Sequence, residues 1–264
     1  MRIASVQMNP IAGEVEKNIH TMCEHIENAA AAGNDLVVFP EMSDTGYDMP
    51  TIVRTARNWA DSTVSKLQDT ARRCRVNVAA GVSEKEETNI YNSVAIIGRD
   101  GSLIGRHRKT HLITAEPMLE QNYLKAGDEL TIVQIENAQF GIMTCYEIRF
   151  PEIARTLALK GAQVLLIPAA WPLVRLPHWT TLALARAIEN QVFVIAANRI
   201  GSDGGVIFAG TTTIVDPYGV VLASASQIHE DVVVAKLNLE RISVVRSQIK
   251  VHQDRRPTLY EMGK

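Results

Sequence analysis

Apolar residues in this chain come in short runs, and the runs keep two different periods. IASVQM (3–8), DLVVFP (35–40), VNVAAGV (76–82), QVLLIP (163–168) and QVFVIAAN (191–198) are brief, rich in β-branched residues and mostly apolar. Such runs predict strands buried on both faces of a sheet. Between them the spacing becomes helical. Residues 15–32 put Ile19, Met22, Cys23 and Ile26 on one face, and Gly33-Asn34 ends that helix. Further helices are predicted over 59–74, 151–160 and 178–190, with Pro151 suited to a first helical turn.

YNSVAIIG (91–98), the turn RDG and SLIGRH (102–107) read as a hairpin. Strands are also predicted at 130–135, 139–144, 211–217, 220–225 and 232–237. Strand-helix alternation mixed with hairpins predicts an α/β fold of mixed sheets covered by helices. The pattern alone leaves one sheet or two open. With no linker, low-complexity tract or repeat, residues 1–264 read as a single domain.

The formal net charge of −2, with Lys and Arg scattered, gives no reason to expect nucleic acid or an anionic membrane as partner. MRIASVQM starts as a strand rather than a secretory leader, and no apolar run approaches the roughly 20 residues needed to span a bilayer. Three widely spaced cysteines are not a disulfide framework. The reading is a cytoplasmic protein acting on a small molecule.

The chemistry begins with FGIMTCYEIRFPEIA, residues 140–154. Cys145 stands where a strand gives way to a helix, a turn that exposes a nucleophile and aims backbone N–H groups at an oxyanion. A thiol of pKa about 8.5 needs a base or a nearby cation. Two other strand ends offer these: Glu41 after LVVFP, and Lys109 in GRHRKTHL. Each has a bland reading when taken alone, as filler, loop carboxylate and surface charge. Cys23 and Cys74 read as helix-face packing. His107 and His111 have zinc-like spacing but lie in a strand-to-loop pattern with no third ligand nearby in sequence. His111 or His178 as base for Cys145 is the competing thiol-histidine arrangement. Gly204-Gly205 marks a turn, and Glu147 and Arg149 read as structural partners near the next helix.

Taken together, FPE with Glu41, HRKTHL with Lys109 and TCYEIRFPE with Cys145 resemble the carbon-nitrogen hydrolase (nitrilase) superfamily in order and spacing. So do RIASVQMNPIAGEVEKNI, YNSVAIIGRDG, LKAGDEL, PAAWP, RAIENQVFVIAANRIG and GTTTIVDPYG, so the resemblance spans essentially the whole chain. It implies a four-layer α-β-β-α sandwich with two mixed sheets, a homodimer or higher homo-oligomer, and 248–264 as a C-terminal arm. It implies Glu41 as general base and acid and Cys145 as nucleophile. Lys109 and a backbone N–H, that of Tyr146, would stabilise the oxyanion. Glu120, eight residues before Asp128, matches a second glutamate that orients Lys109 or substrate. Trp171 matches a pocket-lining position, and Arg175 is a candidate for a substrate carboxylate. No metal or organic cofactor is required.

The resemblance favours the amidase branch that includes ω-amidase, with simple aliphatic amides left open because PAAWP stands where that branch has PANWP. An N-carbamoyl amine or amino-acid hydrolase and a nitrilase are the rival enzymes. A non-enzymatic interaction module is the rival of another class.

Overall fold

The computed structural model describes residues 1–61 and 63–260. The first half contains β1 (Arg2–Gln7), α1 (Val15–Ala31), β2 (Leu36–Phe39), α2 (Met49–Thr55), α3 (Thr63–Cys74), β3 (Asn77–Glu86), β4 (Asn89–Ile97) and β5 (Leu103–Arg108). The second half contains β6 (Ile132–Ile135), β7 (Ala138–Ile142), α4 (Pro151–Leu159), β8 (Val164–Ala169), α5 (Leu176–Asn190) and β9 (Phe193–Asn198). The hairpin β10 (Ser202–Asp203) and β11 (Val206–Ile207) follows, then β12 (Thr213–Val215), β13 (Val221–Ser224), β14 (Asp231–Lys236) and α6 (Glu240–Gln248).

The strands form two six-stranded mixed sheets, ordered β14-β1-β2-β3-β4-β5 and β13-β12-β9-β8-β7-β6. Three parallel strands lie inside each sheet, β1-β2-β3 and β7-β8-β9, with antiparallel strands outside. Side-chain alternation explains the layering. Leu36 and Val38 of β2 join Phe140, Ile142, Leu166 and Ile195 in the core between the sheets. Val37 and Phe39 point the other way, onto Met22 and Ile26 of α1 and Leu67 of α3. On the far side, Leu165, Ile167 and Val194 pack on Leu157 of α4 and Trp179 and Ala183 of α5. This is the expected α-β-β-α sandwich, and β2 and β8 are apolar throughout because both faces are covered.

Two helices escaped the pattern. Among the residues of α6, Ile242 and Val245 are the buried ones, so its apolar stripe is too thin to register. The seven residues of α2 are too few to show a period, although Asp48 caps it through Thr51 N–H at 3.1 Å. The predicted helix at 59–74 divides into a 3-10 turn, Trp59–Asp61, and α3. Gly204 and Gly205 form the β10–β11 turn, both at positive φ. Beyond α6 the chain lies against the end of α5: Gln191 Nε2 donates to Ile249 O at 2.7 Å, and His252 Nε2 meets Asn190 O at 2.9 Å. Residues 261–264 of the expected arm lie outside the described residues. Among the described residues no helix is long and apolar enough to cross a membrane.

Candidate active site

Glu41, Lys109 and Cys145 each leave a strand end, and the pairing of β2 through β5 brings two of them together. Glu41 follows β2, where Met42 adopts φ +51° and Ser43 N–H donates to Gly81 O at 2.8 Å. A Cβ on Gly81 would lie 2.3 Å from Pro40 O and 2.6 Å from Glu41 Cα, so β3 needs glycine for this approach. Lys109 follows β5, its N–H donating to Asn92 O at 2.8 Å. Cys145 opens a 3-10 turn, Cys145–Arg149, inserted between β7 and α4, and it holds φ +47°. A non-glycine residue there costs on the order of 1–3 kcal/mol and is typical of functional turns. Phe150 is extended before Pro151, which opens α4 as the sequence suggested.

The charged side chains converge. Lys109 Nζ donates to Glu41 Oε1 at 2.8 Å and to Glu120 Oε1 at 2.9 Å, and all three side chains are fully buried. Asn92 Nδ2 donates to the same two oxygens, at 2.5 Å to Glu41 and 3.3 Å to Glu120. Tyr47 OH donates to Glu120 Oε1 at 2.7 Å, and Ile113 N–H to its Oε2 at 2.8 Å. Glu41 Oε2 accepts from Ala170 N–H at 2.7 Å. Glu120 accepts four donors, three of them on Oε1, and Glu41 accepts three, with the Ala170 N–H on its Oε2.

Burial opposes a charge on Lys109, but Glu120, Glu41 and Cys145 around it outweigh burial and raise its pKa, so it stays an ammonium at any working pH. Cys145 is also raised, which for a thiol favours the neutral form. Burial raises the thiol first, Glu41 and Glu120 add to it, and Lys109 and the Ala170 N–H oppose. The resting thiol is protonated and needs a base, and Glu41 is the partner whose charge presses on it most. Tyr47 is likewise raised, by burial and then by Glu120, Glu41 and Cys145, so it serves as a neutral donor.

Glu147, two residues beyond Cys145, is a structural prop. Glu147 accepts from Thr144 N–H at 2.6 Å, Thr110 N–H at 2.7 Å and His107 Nε2 at 2.9 Å, and from Thr110 Oγ1. Thr144 and Thr110 each adjoin a site residue, so Glu147 fastens the Cys145 turn to the Lys109 strand end. Burial alone would raise its pKa, but the charge and hydrogen bond of His107 and the Thr110 donors pull it down to about 2, from 4.5. A depressed carboxylate contributes stability above its unfolded value and loses it as pH falls through the folded one. Wild-type protein should therefore lose on the order of 3 kcal/mol between about pH 4.5 and 2 through this group. Glu147→Gln should be less stable at pH 7 and flatter across that window, as urea midpoints would read.

His107 is occupied by Glu147 and by Thr131 Oγ1 at 3.2 Å. The His111 ring lies on Phe150 with centroids 4.2 Å apart, and its Nδ1 meets Thr110 Oγ1 at 2.8 Å. His178 Nδ1 faces Arg149 at 3.3 Å. Glu41, not His111 or His178, heads the charges that shift Cys145. Among the described residues, no group of three or more His, Cys, Asp or Glu is placed to hold a metal ion. Cys23 and Cys74 are half-buried against the helix side of the first sheet.

The expected substrate residues separate. Trp171 is 2% exposed, stacked on Trp179 at 5.4 Å in the core cluster that also holds Cys145. Arg149 stands over its ring at 4.6 Å, and Arg175 O accepts its indole N–H at 2.7 Å. Tyr146 is half-buried, edge-on to Phe150. Arg175 lines a cavity of about 250 Å³ with Met118, Pro172, Leu173 and Val206. Sequence reasoning passed over Tyr47, Asn92 and the Ala170 N–H. Asn92 had a signal, a polar amide in a mostly apolar strand; a backbone donor leaves none.

The Carbon-nitrogen hydrolase family model matches residues 2–247. The chain is 38% identical over 259 residues to a 2-oxoglutaramate amidase of Bacillus subtilis, covering 98% of each. It is 35% identical over 267 residues to a protein named nitrilase from Pyrococcus abyssi, covering 98% of this chain and 99% of that one. The crystal structure of Saccharomyces cerevisiae Nit3, a member of the nitrilase superfamily, superposes with a TM-score of 0.89 at 29% identity, covering 97% of this chain and 96% of that one. By its family match and by these relatives, this chain belongs to the carbon-nitrogen hydrolase family.

Proposed function

We propose that this chain is an amidase that hydrolyses a small carboxylic amide to acid and ammonia through a thioester on Cys145. The observation that carries the reading is the buried ammonium of Lys109 shared between Glu41 and Glu120 beside a protonated Cys145 thiol. Glu41 takes the thiol proton as sulfur bonds to the amide carbon. The oxygen of that carbon becomes an oxyanion, met by Lys109 and the Tyr146 N–H. Collapse breaks the carbon–nitrogen bond, and the proton on Glu41 leaves with ammonia. Water then attacks the thioester, giving one proton to Glu41; the carbon–sulfur bond breaks, the acid departs, and the thiol is restored. Glu120 holds Lys109 in place throughout.

For substrate we favour a monoamide of a dicarboxylic 2-oxo acid. Support comes from the name of the Bacillus relative and from two guanidinium groups beside the site. Burial lowers the Arg149 pKa first and the Arg175 charge lowers it further, while Cys145 opposes. Two such cations suit a carboxylate at the far end of the acyl chain. Trp171 then orders Arg149 by its ring rather than forming an open wall. We also assign the chain to the cytoplasm, a reading its three free cysteines support, and read residues 1–264 as one domain with 248–264 as an arm. A homodimer is supported by exposed Leu159 on α4, Ile188 on α5 and Tyr260 of the arm.

The test is ammonia release from a panel containing such a monoamide, simple aliphatic amides, an N-carbamoyl amino acid and a nitrile. The monoamide should be turned over fastest. Faster cleavage of the carbamoyl compound or the nitrile would move the chain to a rival branch.

A further inference from the structure

We propose that Asn92 is a positioning residue that holds the base Glu41 in register with Lys109 and Cys145. The role of Glu41 as base rests on the amidase reading; the placement of Asn92 does not. Asn92 sits in β4 opposite Ser83 of β3. This cross-strand pair grips the loop after β2 at two points. Ser83 donates to Asp44 from its N–H at 2.9 Å and from Oγ at 2.7 Å, while Asn92 Nδ2 takes Glu41 Oε1 at 2.5 Å. The carbonyl of Asn92 meanwhile accepts the Lys109 N–H at 2.8 Å. One residue thus fixes the backbone of the cation and the side chain of the base.

Its amide also does what Lys109 does without charge. Two carboxylate oxygens brought to one point repel, and Nδ2 bridges them from a second direction. The orientation is forced, because a flipped amide would put Oδ1 against Glu41 Oε1. That arrangement leaves Asn92 Oδ1 buried and without a hydrogen-bond partner among the described residues. A buried amide kept only for packing is normally satisfied at both ends. Leucine, of similar volume, would remove the bridging donor and the orphaned acceptor together, while Lys109 Nζ still donates to both carboxylate oxygens, so neither is left without a partner.

The experiment follows the rate at which iodoacetamide alkylates Cys145 at pH 7, in wild type and in Asn92→Leu, beside the kcat and KM of ammonia release and the thermal midpoint. Alkylation joins sulfur to carbon, expels iodide and sends the thiol proton to Glu41, so it reads the base without any turnover. In Asn92→Leu, alkylation and kcat should both fall about 10- to 100-fold, the scale of a misplaced group. KM should stay within about twofold. A merely structural role would lower the thermal midpoint, and the rates would recover on cooling. Unchanged alkylation, or recovery on cooling, overturns the inference. Asn92→Ser gives the same reading if the leucine variant does not fold. A wild type silent on every amide, with alkylation still slowed in the variant, would sink the amidase reading and leave Asn92 in its role.

Discussion

Cys145→Ala should lose amide turnover by on the order of 10⁴- to 10⁶-fold, the scale seen when a covalent nucleophile is deleted. Its fold should survive. Cys145 lies in the cluster with Ile148, Ile153 and Trp179, and alanine removes one sulfur from that packing. The residue sits at φ +47°, a strain that alanine shares, so backbone energetics hardly change. Removing the thiol also takes away one of the groups that raise Lys109 and Tyr47, while the hydrogen bonds among Lys109, Glu41, Glu120 and Tyr47 are made without it. Ammonia release and a thermal melt on one preparation check both halves. Full activity in the variant would end the thioester mechanism.

Lys109→Met should damage both stability and catalysis. The ammonium is the counter-charge to two carboxylates that are fully buried. Without it, Glu41 and Glu120 face each other with Asn92 as their shared donor. Deleting one partner of a buried ionic group costs about 3–5 kcal/mol, because the remaining charge is left unpaired. The same change removes a positive charge from the place where the oxyanion forms, worth about 10²- to 10³-fold in kcat. A denaturant titration and steady-state kinetics give the two numbers. A loss of stability with kcat intact would make Lys109 a structural ion and leave the oxyanion to backbone donors. Its raised pKa adds a further expectation: a basic limb in the wild-type activity profile belongs to other groups.

The layers were legible because strands covered on both faces are largely apolar, as β2 and β8 are at every position. Whether they formed one sheet or two was not legible, since the pairing of β1 with β14 joins residues 2 and 236, which no local period encodes. The motifs around Glu41, Lys109 and Cys145 stood out because each carries a reactive group at a strand end. What escaped was the support between them. Tyr47 lies in a loop read only for Glu41, and Asn92 in a strand read only for its apolar residues. Their meaning appears once β2, β3 and β4 are side by side. His107 differs: the strand-to-loop pattern already spoke against reading its spacing from His111 as a zinc pair, and burial against Glu147 gives it a structural task.

The covalent intermediate is the most direct test of the account. Protein turning over an amide substrate is quenched in acid within its first turnovers, and its intact mass and peptide masses are read. The thioester mechanism predicts added mass equal to the acyl group of the substrate, carried on the peptide containing Cys145 and absent from Cys145→Ala. Ammonia release with no acyl mass on any peptide under conditions that preserve thioesters, or with the acyl group on another residue, would contradict it.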